Sequence, residues 1–229
     1  MRIPITKFGL PQVAFFSADL VGLMALCGYA MRNRPVYWFV GVEVFLLLIL
    51  IWILAFFRDP ARVIPVGEDI LVSPADGTIS DIESIDDPNC VGRKLLRIGI
   101  FLSVFNVHIN RAPCKVKIDK INYVPGKFVD ARLPESAKIN ESNDITMIRL
   151  SEPKHKLIVR QISGAIARRI VCDAREGQEL FGGEKFGMIK FGSRTELYIP
   201  QDVDIDCLVK VGEKVKAGST ILARYIANE

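Results

Sequence analysis

Histidine is the scarcest chemically versatile residue in this chain, with two copies among 229 residues. His108 and His155 stand far apart, and the sequence contains neither a His-x-His pair nor a Cys-x-x-Cys pair. Zinc sites need three or four such ligands, usually at short spacings. The scarcity therefore excludes a zinc peptidase of the His-x-His type, and we expect no metal in the protein.

Cysteine and net charge are equally uninformative about partners. The five cysteines are odd in number and scattered, which predicts small buried residues in a reducing compartment rather than a disulfide framework. The formal net charge is +4, and residues 58–229 carry 26 basic against 24 acidic residues. Such a balanced charge gives no sign of a nucleic-acid partner, and we expect none.

What the chain does have is a long apolar start. Half of all residues are hydrophobic, and the excess lies before Arg58. Val36 to Phe57 is 22 residues long with Glu43 as its single charge, enough for a helix to cross the roughly 30 Å hydrocarbon core of a bilayer. Val13 to Met31 is also apolar, and only residues 32–35 separate the two runs. The pattern predicts an N-terminal transmembrane helical hairpin.

Two other arrangements of these runs stay open. One helix could span the bilayer while the other lies in its interface, or both could be core helices of a soluble protein. Similar Lys/Arg flanks on both sides leave the orientation undetermined. We expect residues 1–57 to anchor the protein in the membrane and residues 58–229 to form one folded domain.

The remainder of the chain has the pattern of a mainly β protein. Short β-rich runs surround a turn at 74–77, and residues 115–124 alternate apolar and polar side chains with period two. Two segments, 177–189 and 212–223, resemble each other, each with two glycines six positions apart before apolar residues. That spacing is typical of the tight turns of barrel-sandwich-hybrid folds. No Met-Lys-Met turn marks a lipoyl site.

Four separated motifs carry a resemblance to a known family. They are FFRDPARVIP at 56–65, SPADGTI at 73–79, FLSVFNVHINRAP at 101–113, and the run from GAIARRIV to FGSRTELYIP at 164–200. In this order they resemble the phosphatidylserine decarboxylase family, particularly its short form, which includes archaetidylserine decarboxylase-like proteins. The resemblance covers residue 56 to the C-terminus.

The resemblance implies a precursor that cuts its own backbone between Gly192 and Ser193. The Ser193 hydroxyl would attack the Gly192 carbonyl and convert the peptide into an ester. Elimination would leave dehydroalanine, which hydrolyses to a pyruvoyl group at position 193. The products would be a chain of residues 1–192 and a chain of residues 193–229 that stay associated.

The resemblance also suggests which residues assist. His108, in an apolar run where a histidine is costly without a partner, would be the base and acid, and Asp76 would orient its ring. His155 lies among charges, and we expect it to be exposed and uninvolved. Arg111 stands where long-form members have a second histidine, so its role is undetermined. Residues 140–142 read Asn-Glu-Ser instead of Asn-Glu-Arg, and we assign them no catalytic role.

The implied reaction is decarboxylation of a serine phospholipid. The substrate amine would form a Schiff base with the pyruvoyl ketone derived from Ser193, CO₂ would leave, and an ethanolamine lipid would be released. The pyruvoyl group would be the only cofactor. The expected location is the cell membrane, with the catalytic domain on the cytoplasmic side. The choice between diacyl and diether lipids, and whether the protein is a homo-oligomer, stay open.

Two further classes compete with this interpretation. A membrane-anchored barrel-sandwich adaptor would carry long heptad-patterned helical hairpins, and the sequence has none. A sugar phosphotransfer domain would need a surface histidine and would have no use for Gly192-Ser193.

Overall fold

The computed structural model describes residues 4–32, 37–86, 93–133, 135–165, 169–190 and 192–226, and these fall into two compact units. The first unit covers residues 1–60 and the second covers residues 61–229. The division lies close to the position after Phe57 at which the sequence predicts that the membrane-anchoring segment ends.

The first unit contains the two predicted apolar helices. A 3-10 turn at Lys7–Gly9 leads into α1 (Leu10–Met31), which has a proline in its first turn, and α2 follows at Tyr37–Phe56. Proline is favoured there because its missing N–H has no partner in the first turn of a helix. The connecting residues 33–36 of the predicted hairpin lie outside the described residues.

The two ends of the hairpin are joined by backbone pairing. Ile5 and Arg58 form an antiparallel bridge, the Thr6 N–H donates to the Phe57 carbonyl at 2.9 Å, and a β-carbon on Gly9 would lie 2.0 Å from the Phe57 ring. A side chain at position 9 would therefore displace that ring. The start of α1 and the end of α2 lie on the same side, so the helices form the predicted hairpin.

Both helices are long and apolar enough to cross a membrane. Their large apolar side chains are mostly exposed within the structure, as Leu26, Phe45 and Leu48 illustrate with exposed fractions near 60%. A core helix of a soluble domain would bury such side chains, whereas a lipid-facing helix leaves them outside the protein.

The second unit is mainly β, as predicted. Its strands are β1 (Ile70–Val72), β2 (Gly77–Asp86), β3 (Lys94–Leu102), β4 (Ile109–Arg111), β5 (Val116–Val124), β6 (Ser142–Arg149), β7 (Lys156–Ile162), β8 (Ile170–Cys172), β9 (Glu179–Leu180), β10 (Lys185–Ile189), β11 (Ser193–Pro200), β12 (Ile205–Cys207), β13 (Lys214–Val215) and β14 (Ile221–Tyr225). One short helix, α3 (Ser136–Ile139), lies between β5 and β6.

These strands form a curled, half-barrel sheet and two small sheets. The large sheet has eight strands in the order β13-β2-β3-β11-β7-β6-β5-β9, and the small ones run β1-β14-β12 and β4-β10-β8. Every residue of β11 is buried, because this strand pairs with β3 on one side and with β7 on the other. A strand in this position has no free edge, so the segment after Gly192 forms the middle of the sheet.

The two similar glycine segments form matching turns. Gly177, Gly183, Gly212 and Gly218 all have positive φ, between +73° and +90°. Residues other than glycine rarely adopt that backbone conformation. Each segment forms two short strands joined by tight turns, as the sequence predicted, and the two turns meet where Gly218 approaches the Cα of Gly183.

Candidate active site

The Gly192–Ser193 bond lies where β11 begins. Gly192 has φ +66°, a left-handed conformation that favours glycine, and Ser193 is fully buried and pairs with Leu102 of β3. Phe191, the residue before this pair, lies outside the described residues. The backbone therefore turns sharply at Gly192 and becomes rigid one residue later.

The His108 ring lies directly against this turn. The Gly192 N–H donates to His108 Nε2 at 3.2 Å, and His108 Nδ1 is 3.0 Å from the Asn106 carbonyl oxygen. A carbonyl only accepts hydrogen bonds and a backbone N–H only donates them, so Nδ1 carries the proton and Nε2 carries the lone pair. This neutral tautomer is the form that a base requires.

Two buried hydroxyls next to each other have no hydrogen-bond partner among the described residues. They belong to Ser193 and Ser163, both fully buried. Because Arg194 pairs with Ile162, the antiparallel register puts Ser163 opposite Ser193. A buried hydroxyl without a partner destabilises a fold, so such a group calls for a functional explanation. At Ser193 the missing partner leaves the oxygen available for chemistry.

The Gly192 carbonyl is covered by the backbone of Gly164. A β-carbon on Gly164 would lie 2.3 Å from the Gly192 carbonyl oxygen and 3.3 Å from Ala131. Only glycine permits so close an approach to a backbone atom. Sequence reasoning did not single out Gly164, because the sequence does not show which backbone segment packs on Gly192.

A chain of buried side-chain amides holds β4, which follows His108, against β11. Gln161 Nε2 donates to Asn110 Oδ1 at 2.9 Å, Asn110 Nδ2 donates to Thr195 Oγ1 at 3.1 Å, and Asn143 Nδ2 donates to Gln161 Oε1 at 3.0 Å. Satisfied buried networks of this kind fix one arrangement of the strands. The sequence analysis missed these residues, since their contacts come from four different strands.

Asp76 is buried near the same strands but is bonded elsewhere. In the described part of the chain its two carboxylate oxygens accept from Arg62 at 2.9 and 2.7 Å, and one also accepts from the Ala217 N–H at 2.8 Å. The sequence analysis expects Asp76 to orient the His108 ring. In the structure, the Asn106 carbonyl oxygen accepts the hydrogen bond from His108 Nδ1. The influence of Asp76 on catalysis stays a prediction.

Three other residues discussed from the sequence have structural contacts. Arg111 is buried and donates to the Gly183 carbonyl at 2.9 Å, in the paired glycine turns. His155 is half-buried rather than exposed, because it packs on the Tyr225 ring at 5.3 Å between centroids. Asn140 donates to the carbonyls of Val129 and Ser163, each at 2.8 Å, and so ties a loop to the strand end beside Ser193.

The described residues contain no group of three or more His, Cys, Asp or Glu that could hold a metal ion. The four described cysteines, Cys27, Cys114, Cys172 and Cys207, are free, and Cys90 lies outside the described residues. Burial raises the pKa of the Cys114 thiol to about 12, which makes it a poor nucleophile at neutral pH.

A cavity of about 370 Å³ opens onto Gly192. Its lining includes Val104, which follows β3, and residues 130–132 of the loop after β5. A second cavity of about 300 Å³ is lined by residues around Val66 and Phe181 and does not reach Gly192. The first cavity has the volume of a small-molecule site, and its lining includes Gly192, whose N–H donates to His108.

Comparison with known proteins relates the chain to one family. The profile of the family described as phosphatidylserine decarboxylase matches residues 49–223. The chain is 42% identical to the phosphatidylserine decarboxylase proenzyme of Rhodopirellula baltica over 225 residues, which is 97% of this chain and 89% of that protein. It is 46% identical to the proenzymes of Ehrlichia ruminantium strains Gardel and Welgevonden over 168 residues, 73% of each chain.

Proposed function

Because the chain belongs to the phosphatidylserine decarboxylase family, we propose that it cuts itself between Gly192 and Ser193 and then converts a phosphatidylserine-type lipid to the phosphatidylethanolamine-type lipid and CO₂. The observation that carries the proposal is the hydrogen bond from the Gly192 N–H to His108 Nε2, next to the Ser193 hydroxyl, which has no hydrogen-bond partner in the described part of the chain. The proposed nucleophile and the bond to be cut belong to consecutive residues, Ser193 and Gly192, and the proposed base, the His108 ring, accepts a hydrogen bond from Gly192.

Self-cleavage begins with the Ser193 hydroxyl. His108 Nε2 takes its proton, Oγ adds to the Gly192 carbonyl carbon, and collapse breaks the C–N bond to leave an ester and a free amine on residue 193. Loss of the Ser193 α-proton then expels the Gly192 carboxylate and leaves dehydroalanine. Addition of water and loss of ammonia complete the conversion to a keto acyl group.

The site suits a pyruvoyl group at position 193. The Ser193 hydroxyl is buried without a hydrogen-bond partner among the described residues, and the preceding residue, Gly192, lines the cavity, so the altered residue would follow directly on a space that a substrate can enter. When formed, the group supplies a ketone that condenses with the substrate amine and accepts the electron pair left by CO₂. His108 is the residue placed to hold a proton at Nε2 and deliver it to the substrate α-carbon.

Asp76 has a positioning role in this proposal. Its bonds to Arg62 and to the Ala217 N–H hold the turn at 73–77, and the Pro74 carbonyl of that turn accepts from the Arg111 N–H at 3.0 Å. Arg111 ends β4, the strand that follows His108. Asp76 would therefore help to set the position of the His108 ring relative to Gly192, by holding the backbone of the turn to which β4 is bonded.

The membrane hairpin completes the proposal. Residues 1–57 would anchor the protein in the cell membrane, and residues 58–229 would form the decarboxylase domain on the cytoplasmic side. Two apolar helices of membrane-spanning length support this arrangement. An anchored enzyme suits a substrate whose acyl chains remain in the bilayer.

The test of the proposed function is the mass of the purified wild-type protein. We expect residues 1–192 and 193–229 as two chains, the smaller one blocked at its N-terminus and reactive toward carbonyl reagents. Phosphatidylserine should lose CO₂ in the same preparation. A single intact chain of 25.6 kDa that still decarboxylates the lipid would contradict the proposal.

Strand pairing and hydrogen bonds would hold the smaller chain on the larger one after the cut. It contributes β11 to the middle of the large sheet and β14 to the middle of the sheet β1-β14-β12. Arg194, the first intact residue after the altered one, donates to both carboxylate oxygens of Asp81 at 2.8 and 2.6 Å, to Ser80 at 2.8 Å and to Glu196 at 2.8 Å. Asp81 and Ser80 belong to the larger chain.

We expect Arg194→Gln to weaken the hold on the small chain. A pyruvoyl residue has no backbone N–H, so position 193 loses a donor when the chain is cut, and the ion pair of Arg194 with Asp81 becomes the first polar anchor. Removing one partner of a fully buried pair destabilises by about 3–5 kcal/mol, and we expect a smaller loss here because the pair is partly buried and Asp81 keeps its ion pair with Arg97. Size-exclusion chromatography in mild urea should show the small chain released at lower urea than in wild type.

The matched control is Lys156→Gln, which breaks an exposed ion pair with Asp119 inside the larger chain and should leave release of the small chain unchanged.

Acid should also release the small chain at lower urea, as Arg194→Gln does. Burial alone would raise the pKa of Asp81, but hydrogen bonds from Ser80 and the charge of Arg194 lower it below its usual value. The stabilisation is present above the unfolded pKa and is lost as pH falls through the lowered one. Equal urea dependence of Arg194→Gln and wild type would contradict this account.

A further inference from the structure

The cavity that ends at Gly192 has one cation among its described lining residues. Arg132 lies on the loop at 127–133, in the cavity wall formed by residues 130–132. Its side chain is about 71% exposed, so it can meet a ligand that enters from solvent or from a lipid surface. Asp130 is the anion of the same lining.

The present partner of Arg132 is easily exchanged. Its Nε lies 3.1 and 3.0 Å from the two oxygens of Asp130, two residues away on the same loop. An exposed ion pair of this kind contributes little to stability. A phosphodiester offers the planar guanidinium two oxygens in the fork geometry that arginine binds well. Exchange of carboxylate for phosphate would therefore cost the fold little.

The loop that carries Arg132 is held in place from behind. The Asn140 side chain accepts from the Val129 N–H at 2.9 Å and donates to the Val129 and Ser163 carbonyls. The Ser136 hydroxyl donates to the Ala131 carbonyl at 3.3 Å. The backbone on both sides of Asp130 is thus tied to the strand end that faces Ser193, which keeps Arg132 at a set distance from the reacting bond.

Exposed apolar side chains adjoin the cavity lining. Phe105 follows Val104 of the lining and is 72% exposed, Leu133 follows Arg132 and is 44% exposed, and Phe128 on the same loop is 40% exposed. Large apolar residues around a cavity whose lining holds an exposed arginine are typical of a surface that meets lipid. The ligand indicated is therefore an anion attached to an apolar body rather than a free anion.

We propose that Arg132 binds the phosphodiester of the lipid headgroup, with the serine pointing inward to Gly192–Ser193 and the acyl chains leaving over Phe105, Phe128 and Leu133. This rests on the proposed function and specifies which residue recognises the substrate. Arg132 takes no part in self-cleavage, because that reaction involves no phosphate. Binding and self-cleavage can therefore be separated by mutation.

The test compares Arg132→Gln and Arg132→Lys with Arg175→Gln, an exposed arginine outside this cavity. Each variant is assayed as the full chain in detergent with dihexanoyl phosphatidylserine, which is too short to require a bilayer. We expect Arg132→Gln to be cut normally and to have a KM raised by about tenfold or more, since charge-assisted bonds to phosphate are strong. Its kcat should stay within about threefold, Arg132→Lys should recover part of the loss, and Arg175→Gln should match wild type.

Competition distinguishes a headgroup site from a general anion site. Glycerophosphoserine should inhibit wild type and lose that effect in Arg132→Gln, whereas inorganic phosphate at the same concentration should inhibit weakly. Equal inhibition by inorganic phosphate, or an unchanged KM in a normally cut Arg132→Gln, would overturn the inference and leave the proposed function intact. If Arg132→Gln failed to fold, Arg132→Lys and the wild-type competition would still decide. An uncut wild type would instead refute the proposed function.

Discussion

Ser193→Ala is expected to remain a single chain of 25.6 kDa, with no carbonyl-reactive terminus and no decarboxylation of phosphatidylserine. Without the hydroxyl there is no nucleophile for the Gly192 carbonyl, so no ester forms and no Gly192 carboxylate can be expelled to give dehydroalanine. The fold should not suffer, because the hydroxyl removed is buried without a hydrogen bond among the described residues. Replacing such a group with hydrogen is neutral or stabilising. Electrophoresis, intact mass and CO₂ release measure the three effects.

Ser163→Ala is the matched control for this prediction. It removes the neighbouring buried hydroxyl, also without a partner in the described residues, from the position opposite Ser193. We expect this variant to be cut and active. The reverse result, with Ser163→Ala intact and Ser193→Ala cut, would move the nucleophile to the other strand and refute the proposed cleavage site.

His108→Gln is expected to slow self-cleavage by about 10²–10⁴-fold, the usual contribution of a positioned base. Glutamine keeps an acceptor for the Gly192 N–H, so the turn can hold its shape, but an amide cannot take the proton of Ser193. A time course of precursor loss after synthesis measures the rate. The residual rate reports what the turn at Gly192 achieves without a base.

His155→Gln provides the comparison, since His155 packs on Tyr225 and has no place in the proposed chemistry. We expect its cleavage rate to equal that of wild type.

Added imidazole should partly restore self-cleavage in His108→Ala by entering the space that the histidine ring leaves. Wild-type cleavage rates in His108→Gln would exclude this histidine as the base.

Much of the fold could be predicted because its signals are local. The hairpin of α1 and α2 follows from two uninterrupted apolar runs, and no other part of the chain has that length. The positive φ of the four glycines in the two similar segments follows from their spacing, since each tight turn needs a residue without a β-carbon. The Gly192–Ser193 pair and His108 were identified by their motifs, and the structure brings those three residues together.

The partners of these residues could not be predicted, because they come from distant strands. Asn106 rather than Asp76 accepts from His108 Nδ1, since the loop before β4 folds back on its own histidine while Arg62 occupies the carboxylate. Gly164 covers the Gly192 carbonyl only because β7 and β11 are neighbours in the sheet. The order of residues in the sequence does not show that β7 and β11 are neighbours.

The sequence by itself determined the apolar hairpin, the β character, the family and the residues to which we assign the proposed chemistry, because hydrophobic runs, turn glycines and motifs are properties of contiguous residues. Only the tertiary structure decided which tautomer His108 adopts, which backbone covers the bond at Gly192, and which arginine faces the cavity. Those depend on strand order and register, which pair residues as far apart in the chain as Ile70 and Arg224 and leave no mark in either segment alone.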